Sequence, residues 1–235
     1  MLKEVIYLVY ITSRETQRRK DARKGQIIKS ALEIFSERGY DGTTIKDIVQ
    51  ASGTSIGNFY FYFKSKEDLF ELLYDEMSTM LNRLSDFALN RDNISVVKGF
   101  CRSKTSELWA FQHCNGLARA LMIEGIGDIP RFEKKRLEIF NNSNERIERV
   151  FIGLSNLKLL DISDTKISSL LCNGTMYHVI MDWLQGDRTV KLTDYSYQII
   201  TFNLNAFKID YQNSDVKLYI NDMLEELETD FTMFE

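Results

Sequence analysis

A chain of 235 residues with one proline, Pro130, has almost no position at which a helix is forced to stop, because proline removes a backbone donor and clashes with the preceding turn. Usage at about 5% would supply roughly twelve prolines. The scarcity predicts long, uninterrupted helices. Apolar residues make up 44% of the chain, which excludes wholesale disorder and supports a sizeable core. The length allows one or two domains.

No window approaches the ~18 apolar residues of a membrane span, so no membrane partner is expected. The short apolar run from Val5 to Ile11 leads directly into RETQRRKDARK, unlike a signal peptide, and residues 1–17 read as an N-terminal extension. The three cysteines, Cys101, Cys114 and Cys172, are odd in number and lack framework spacing. They read as small packing residues of a reducing, cytoplasmic protein.

The formal net charge of −4 conceals an uneven distribution. Residues 1–70 hold twelve basic against nine acidic side chains, whereas residues 211–235 hold one basic against seven acidic. Segment 14–29 alone carries Arg14, Arg18, Arg19, Lys20, Arg23, Lys24 and Lys29 against Glu15 and Asp21. A local positive field of this kind suits phosphate, although a solvated helix face has the same composition.

Apolar periodicity begins with Ile27, Ala31, Ile34 and Phe35, one buried helix face, and stops at Arg38-Gly39. A second helix starts in YDGTTIKDIVQASG with Thr43 as its N-cap and ends at Ser52-Gly53. A third begins at Ser55 and carries IGNFYFYF. Two short helices across a glycine-containing turn form the helix-turn-helix pattern. Ser65 with Asp68 reads as a capping box opening a helix to about Asn90. Further helices are expected near 94–113, 115–127, 130–155, 163–185 and 193–209, with an acidic amphipathic helix in the tail. The fold class is therefore all-α.

Residues 39–74, GYDGTTIKDIVQASGTSIGNFYFYFKSKEDLFELLY, closely resemble the DNA-binding module of the tetracycline-repressor (TetR) family. Apolar, small and aromatic positions agree over some thirty residues without a gap. Val49 stands where the family usually has alanine, Thr54 where valine is common, and Tyr62 where histidine is frequent. The resemblance implies an N-terminal three-helix DNA-binding domain over 18–64, a helical effector-binding and dimerisation domain over 65–210, and an acidic tail over 211–235. It also implies a homodimer on a palindromic double-stranded DNA operator, acting as a repressor released by a small molecule.

Chemistry assigns roles within the motif. Thr43 and Thr44 offer hydroxyls and amide donors to phosphate, and Lys46 could reach the backbone as a point charge. Ser55, Ile56, Gly57 and Asn58 lead the recognition helix, where Asn58 can pair with adenine and Ile56 can touch a thymine methyl. Phe59 is expected in the core. By resemblance Tyr60 and Tyr62 reach phosphates, Phe61 makes apolar contact at the DNA surface, Phe63 seals the bundle, and Lys64 and Lys66 flank a phosphate.

In the C-terminal domain the bulky Trp109, Phe111, His113, Met122, Phe140, Met176 and Tyr177 are the candidate effector pocket, pointing to an apolar or amphipathic ligand. Ile180, Trp183, Leu184, Ile199, Phe202 and Phe207 are the candidate dimer interface. Both sets are equally what an ordinary core contains. Two histidines without ligand spacing argue against a metal, and no cofactor is expected. The absence of a phosphate loop, a GxSxG elbow and a dinucleotide fingerprint argues against an enzyme. Two alternatives remain: a regulator without a small-molecule effector, and an apolar-ligand carrier or enzyme whose helix-turn-helix does not bind DNA.

Overall fold

The computed structural model describes residues 20–35, 37–89, 94–119, 122–123 and 130–230. The N-terminal extension, Arg14, Arg18, Arg19 and most of 120–127 lie outside them. Regular structure among the described residues is helical. Helix α1 covers residues 20–35 and continues at 37–38. There follow α2 (Ile45–Ala51), α3 (Ile56–Tyr62), α4 (Lys66–Leu89), α5 (Val96–His113), α6 (Asn115–Arg119), α7 (Pro130–Asn156), α8 (Thr165–Gln185), α9 (Ser196–Ala206) and α10 (Asn213–Asp230). Pro130 occupies the first position of α7, where its missing N–H has no helical partner to lose. The β-prone YSYQIITF lies within the 3-10 turn Leu192–Tyr195 and α9; tertiary burial of Ile199 and Ile200 overrides its composition.

Two compact units result, the first ending at Leu73 and the second starting at Tyr74. The core of the first collects Ile27, Ala31 and Phe35 of α1, Ile48 and Val49 of α2, Phe59 of α3, and Leu69 and Phe70 of α4. Phe35, Tyr40 and Phe70 form an aromatic cluster with centroids 4.7–5.9 Å apart.

The second unit is organised around α5, which is buried on nearly every side and carries Cys101, Leu108, Trp109 and Phe111 into the core. The tail helix α10 belongs to this unit. Its Val216 and Ile220 pack with Cys101, Ile200 and Leu204. Arg102, only 1% exposed, donates through Nε to Ala88 O at the end of α4 and through both terminal nitrogens to Glu226 of α10, each at 2.8 Å. Lys104, also buried, reaches Asn173 Oδ1 at 3.2 Å and Glu107 at 3.6 Å, while the Tyr177 hydroxyl donates to Glu107 at 3.0 Å. The three cysteines are buried thiols, none of them in a disulfide. Burial pushes the Cys101 and Cys114 thiols up to about 12 and about 11, so neither is a thiolate at neutral pH.

Candidate nucleic-acid interface

Local chemistry positions α2 and α3. Gly39 and Gly53 both adopt positive φ, 75° and 61°, which terminates α1 and turns the chain between α2 and α3 at no steric cost. The N-cap of α2 is Thr44, one residue later than the sequence suggests. Its hydroxyl accepts from Asp47 N at 3.2 Å, and the Asp47 carboxylate accepts from Thr44 N at 2.9 Å, a reciprocal capping box. Bonding to Thr44 holds the Asp47 carboxyl below its ordinary range. Thr43 is 1% exposed and donates its hydroxyl to Gly39 O at 2.6 Å; it closes the α1–α2 turn and faces inward, away from any phosphate. Ser55 caps α3 by accepting from Asn58 N at 3.2 Å. Ser65 accepts from Asp68 N at 3.2 Å, while Asp68 takes Lys64 N rather than the serine's own amide.

Helix α3 divides cleanly. Phe59 and the following Phe63 are buried, spaced i, i+4 on the inner face. The outer face carries Ile56, Tyr60 and Phe61 at 53%, 54% and 65% exposure. Asn58 and Tyr62 are half-buried, and Gly57, Lys46 and Lys64 are exposed. The Lys20 ammonium lies 5.4 Å from the Phe61 ring centroid, a cation–π approach from the start of α1.

Lys66 corrects the sequence reading. Its Nζ donates to Tyr40 O at 2.7 Å and Thr43 O at 2.9 Å and lies 3.9 Å from the Tyr40 ring centroid. Burial lowers its pKa below the ordinary lysine value. The side chain staples the α1–α2 turn to α4 instead of reaching outward; the missed signal is the two carbonyls of a turn that needs donors. Lys66→Met removes two charge-assisted bonds at a partly exposed site and is expected to cost about 1–3 kcal/mol. Faster hydrogen exchange of amides 40–48, with tryptophan fluorescence unchanged, is the expected result, since Trp109 and Trp183 both lie in the second unit.

The candidate pocket residues of the second unit converge only in part. Phe111, Met122, Phe140 and Tyr177 surround a void of only about 20 Å³. His113 is exposed, stacked on Trp109 at 4.2 Å, and Met176 is fully buried. The larger opening, about 310 Å³, lies between the end of α4, the first half of α5 and the second half of α7. Leu89, Phe100, Ile147, Phe151 and Leu154 line it, with Arg146 at one side. Helices α7 and α9 end with Lys158 and Lys208 in the left-handed region, φ 57° and 55°. The next residues, Leu159 and Ile209, return their amides to Leu154 O and Leu204 O at 2.9 Å, a Schellman-type closure that carries both side chains to the cleft wall. Lysine, rather than glycine, at the left-handed position hides these helix ends from sequence reasoning.

The candidate dimer residues also need correction. Ile180, Trp183, Leu184 and Ile199 are buried within the chain itself, and Trp183 Nε1 donates to Val190 O at 2.7 Å. Phe207 packs edge-on against Phe151 at 5.0 Å. Phe202 alone of the set is exposed, at 61%; on α8 Ile167, Leu170 and Leu171 are exposed as well. Apolar residues encircle α8, so its periodicity does not say which face is inner.

Among the described residues, no group of three or more histidine, cysteine or acidic side chains could hold a metal ion, and no helix is long and apolar enough to cross a membrane.

A helix-turn-helix with a capped, outward-facing second helix, attached to a larger helical unit, defines a DNA-binding protein of the regulatory type. Residues 27–73 match the family model for bacterial regulatory proteins of the tetR family. Over those residues the chain carries a DNA-binding domain of the kind found in TetR-family transcriptional regulators. It is 23% identical to the fatty acid metabolism regulator protein of Bacillus subtilis over 177 residues, 74% of this chain and 90% of that one. Over 73 residues it is 34% identical to the Staphylococcus aureus biofilm operon negative regulator IcaR, 31% of this chain and 39% of that one. Among solved structures, the fatty acid degradation regulator FadR of Bacillus halodurans superposes with a TM-score of 0.70 at 18% identity, covering 79% of this chain and 96% of its own. FadR of Bacillus subtilis, solved in complex with stearoyl-CoA, superposes with a TM-score of 0.68 at 18% identity, covering 80% and 100%.

Proposed function

We infer that the protein is a homodimeric repressor that binds a palindromic operator through α2 and α3 and releases it when an amphipathic molecule enters the second unit. The observation that carries this reading is the outer face of α3: three large apolar or aromatic side chains stand exposed beside Asn58, with Lys46 and Lys64 exposed nearby. An isolated globular unit gains nothing from such a face, whereas a major groove covers it. The interface comprises Thr44, Lys46, Ser55, Ile56, Gly57, Asn58, Tyr60, Phe61, Tyr62 and Lys64. Thr43 and Lys66 support it from behind. Ile167, Leu171 and Phe202 supply the apolar face for a second copy.

The effector reading rests on the apolar cleft with Arg146 at its side, which suits a linear chain bearing an anionic head. The Bacillus subtilis relative's complex with stearoyl-CoA is consistent with that chemistry. Binding of such a molecule would favour the form whose recognition helices are wrongly spaced for successive groove faces.

A duplex selected from a random library with the full chain provides the test. Lys64→Ala is expected to weaken binding and to reduce the slope of log affinity against log salt by about 0.9 for each phosphate no longer neutralised. Stearoyl-CoA is expected to release the duplex from the parent chain. Val150→Trp, at the half-open rim of the cleft, should leave DNA binding intact and abolish release. Lys46→Ala and Lys64→Ala both binding with unchanged affinity and salt slope would remove the proposed interface.

A further inference from the structure

The outer face of α3 bears no charge. Its seven residues, Ile56 to Tyr62, include no charged side chain, and the groups it projects are aliphatic, aromatic, amide or phenol hydroxyl. Helical spacing puts one i, i+4 pair, Gly57 with Phe61, on the side opposite buried Phe59 and Phe63, and a second exposed pair, Ile56 with Tyr60, on the flank beside it. The cations lie around this face rather than on it: Lys46 on α2, Lys64 after α3, and Lys20 against the Phe61 ring.

Gly57 adds an independent observation. A Cβ placed there would meet only the Ser55 Oγ, at 3.9 Å, and the backbone is not in the left-handed region. Neither packing nor conformation requires glycine, and alanine would favour the helix by up to about 1 kcal/mol. Its bare backbone leaves open space one turn before Phe61 and next in sequence to Ile56 that the fold itself does not use.

Guanine is the base most often read by Arg or Lys, paired to its O6 and N7, and this face offers no such donor. Exposed apolar groups beside an unfilled glycine position are complementary instead to the one apolar substituent in the major groove, the C5 methyl of thymine, while an amide such as Asn58 suits adenine. We propose that this recognition helix selects its half-site through thymine methyl groups, with Ile56 and Phe61 as the specificity-determining residues and Gly57 as the open position that admits the methyl. Phosphate contacts from the surrounding lysines then supply affinity without sequence preference. The inference rests on the DNA-binding reading above and names the class of operator: A·T-rich half-sites read by shape and methyl contact.

The experiment uses the full chain and the duplex recovered by random-library selection. Each thymidine is replaced singly by deoxyuridine, which removes only the methyl. Burying one carbon is worth a factor of about four, so replacement at a contacted position is expected to weaken binding about fourfold. Ile56→Ala and Phe61→Ala should each erase the thymine preference at one position and keep it at the other. Gly57→Ala should retain or raise the melting temperature and lose duplex affinity. Both apolar side chains are exposed, so these variants fold, and thermal melting verifies it.

Recovery of no sequence-specific duplex overturns the inference and the DNA-binding reading together. A specific duplex with no thymine enrichment, or with no response to deoxyuridine at any position, overturns the inference alone. So does a thymine preference that survives in both variants. Altered sedimentation of Ile56→Ala or Phe61→Ala with unchanged duplex binding would mark the face as a protein contact and also overturn it.

Discussion

Deletion of α10, residues 213–230, is expected to unfold the second unit. The helix buries Val216, Ile220, Met223 and Leu227, and each fully buried side chain of this size contributes about 1.5–3 kcal/mol. Their sum, about 6–12 kcal/mol, is comparable with the whole stability of an ordinary domain, about 5–15 kcal/mol. Removal also uncovers Cys101, Ile200 and Leu204 and leaves Arg102 without Glu226. A truncated chain ending at residue 212 should lose the cooperative tryptophan transition and aggregate. A chain that keeps a sharp transition would show that α10 is an appendage, despite its packing.

Glu226→Ala is expected to have the second largest effect. Arg102 is buried and its bidentate partner is partly exposed, so removing the carboxylate strands a guanidinium that cannot reach water. Breaking such a pair costs about 3–5 kcal/mol, and the exposure of Glu226 puts the expected value near the lower end. For a unit of this size a loss of about 3 kcal/mol lowers Tm by about 6–12 °C. The double variant Arg102→Met with Glu226→Leu should recover most of the loss, because replacing both ions by apolar groups removes the desolvation cost of each. If the double variant melts as low as the single one, the bond from Arg102 Nε to Ala88 O, which closes the end of α4, is the dominant contribution.

Much of the recognition unit is legible in the sequence because its signals are local. Glycines at 39 and 53, serines at 55 and 65 and the apolar spacing of α1 each act within a few residues, and the elements form where those residues place them. The one-residue difference between Thr43 and Thr44 has a simple cause. Both are threonines before an apolar run, and the choice between them is made by the Gly39 carbonyl and the Asp47 carboxylate. Lys66 escapes a local reading because its partners lie 23 and 26 positions earlier. Surface lysines and stapling lysines have the same local sequence.

The second unit is less legible because apolar composition alone does not distinguish a cleft, a core and a docking face. Trp109, Met176 and Ile180 read as candidate function and pack as core. The opening beside Phe100 and Ile147 forms where three helices diverge, a property of packing that leaves no motif.

The helical class, the positions of most helix ends and the helix-turn-helix are written in the order of residues, since each depends on backbone donors, caps and periodicity within one or two turns. Long-range packing chose which lysine points outward, which face of α8 is free, where the cleft opens and that the acidic tail is part of the core. Those outcomes depend on pairs of residues far apart in the chain, where burial and unsatisfied hydrogen bonds, rather than local preference, select among chemically similar side chains.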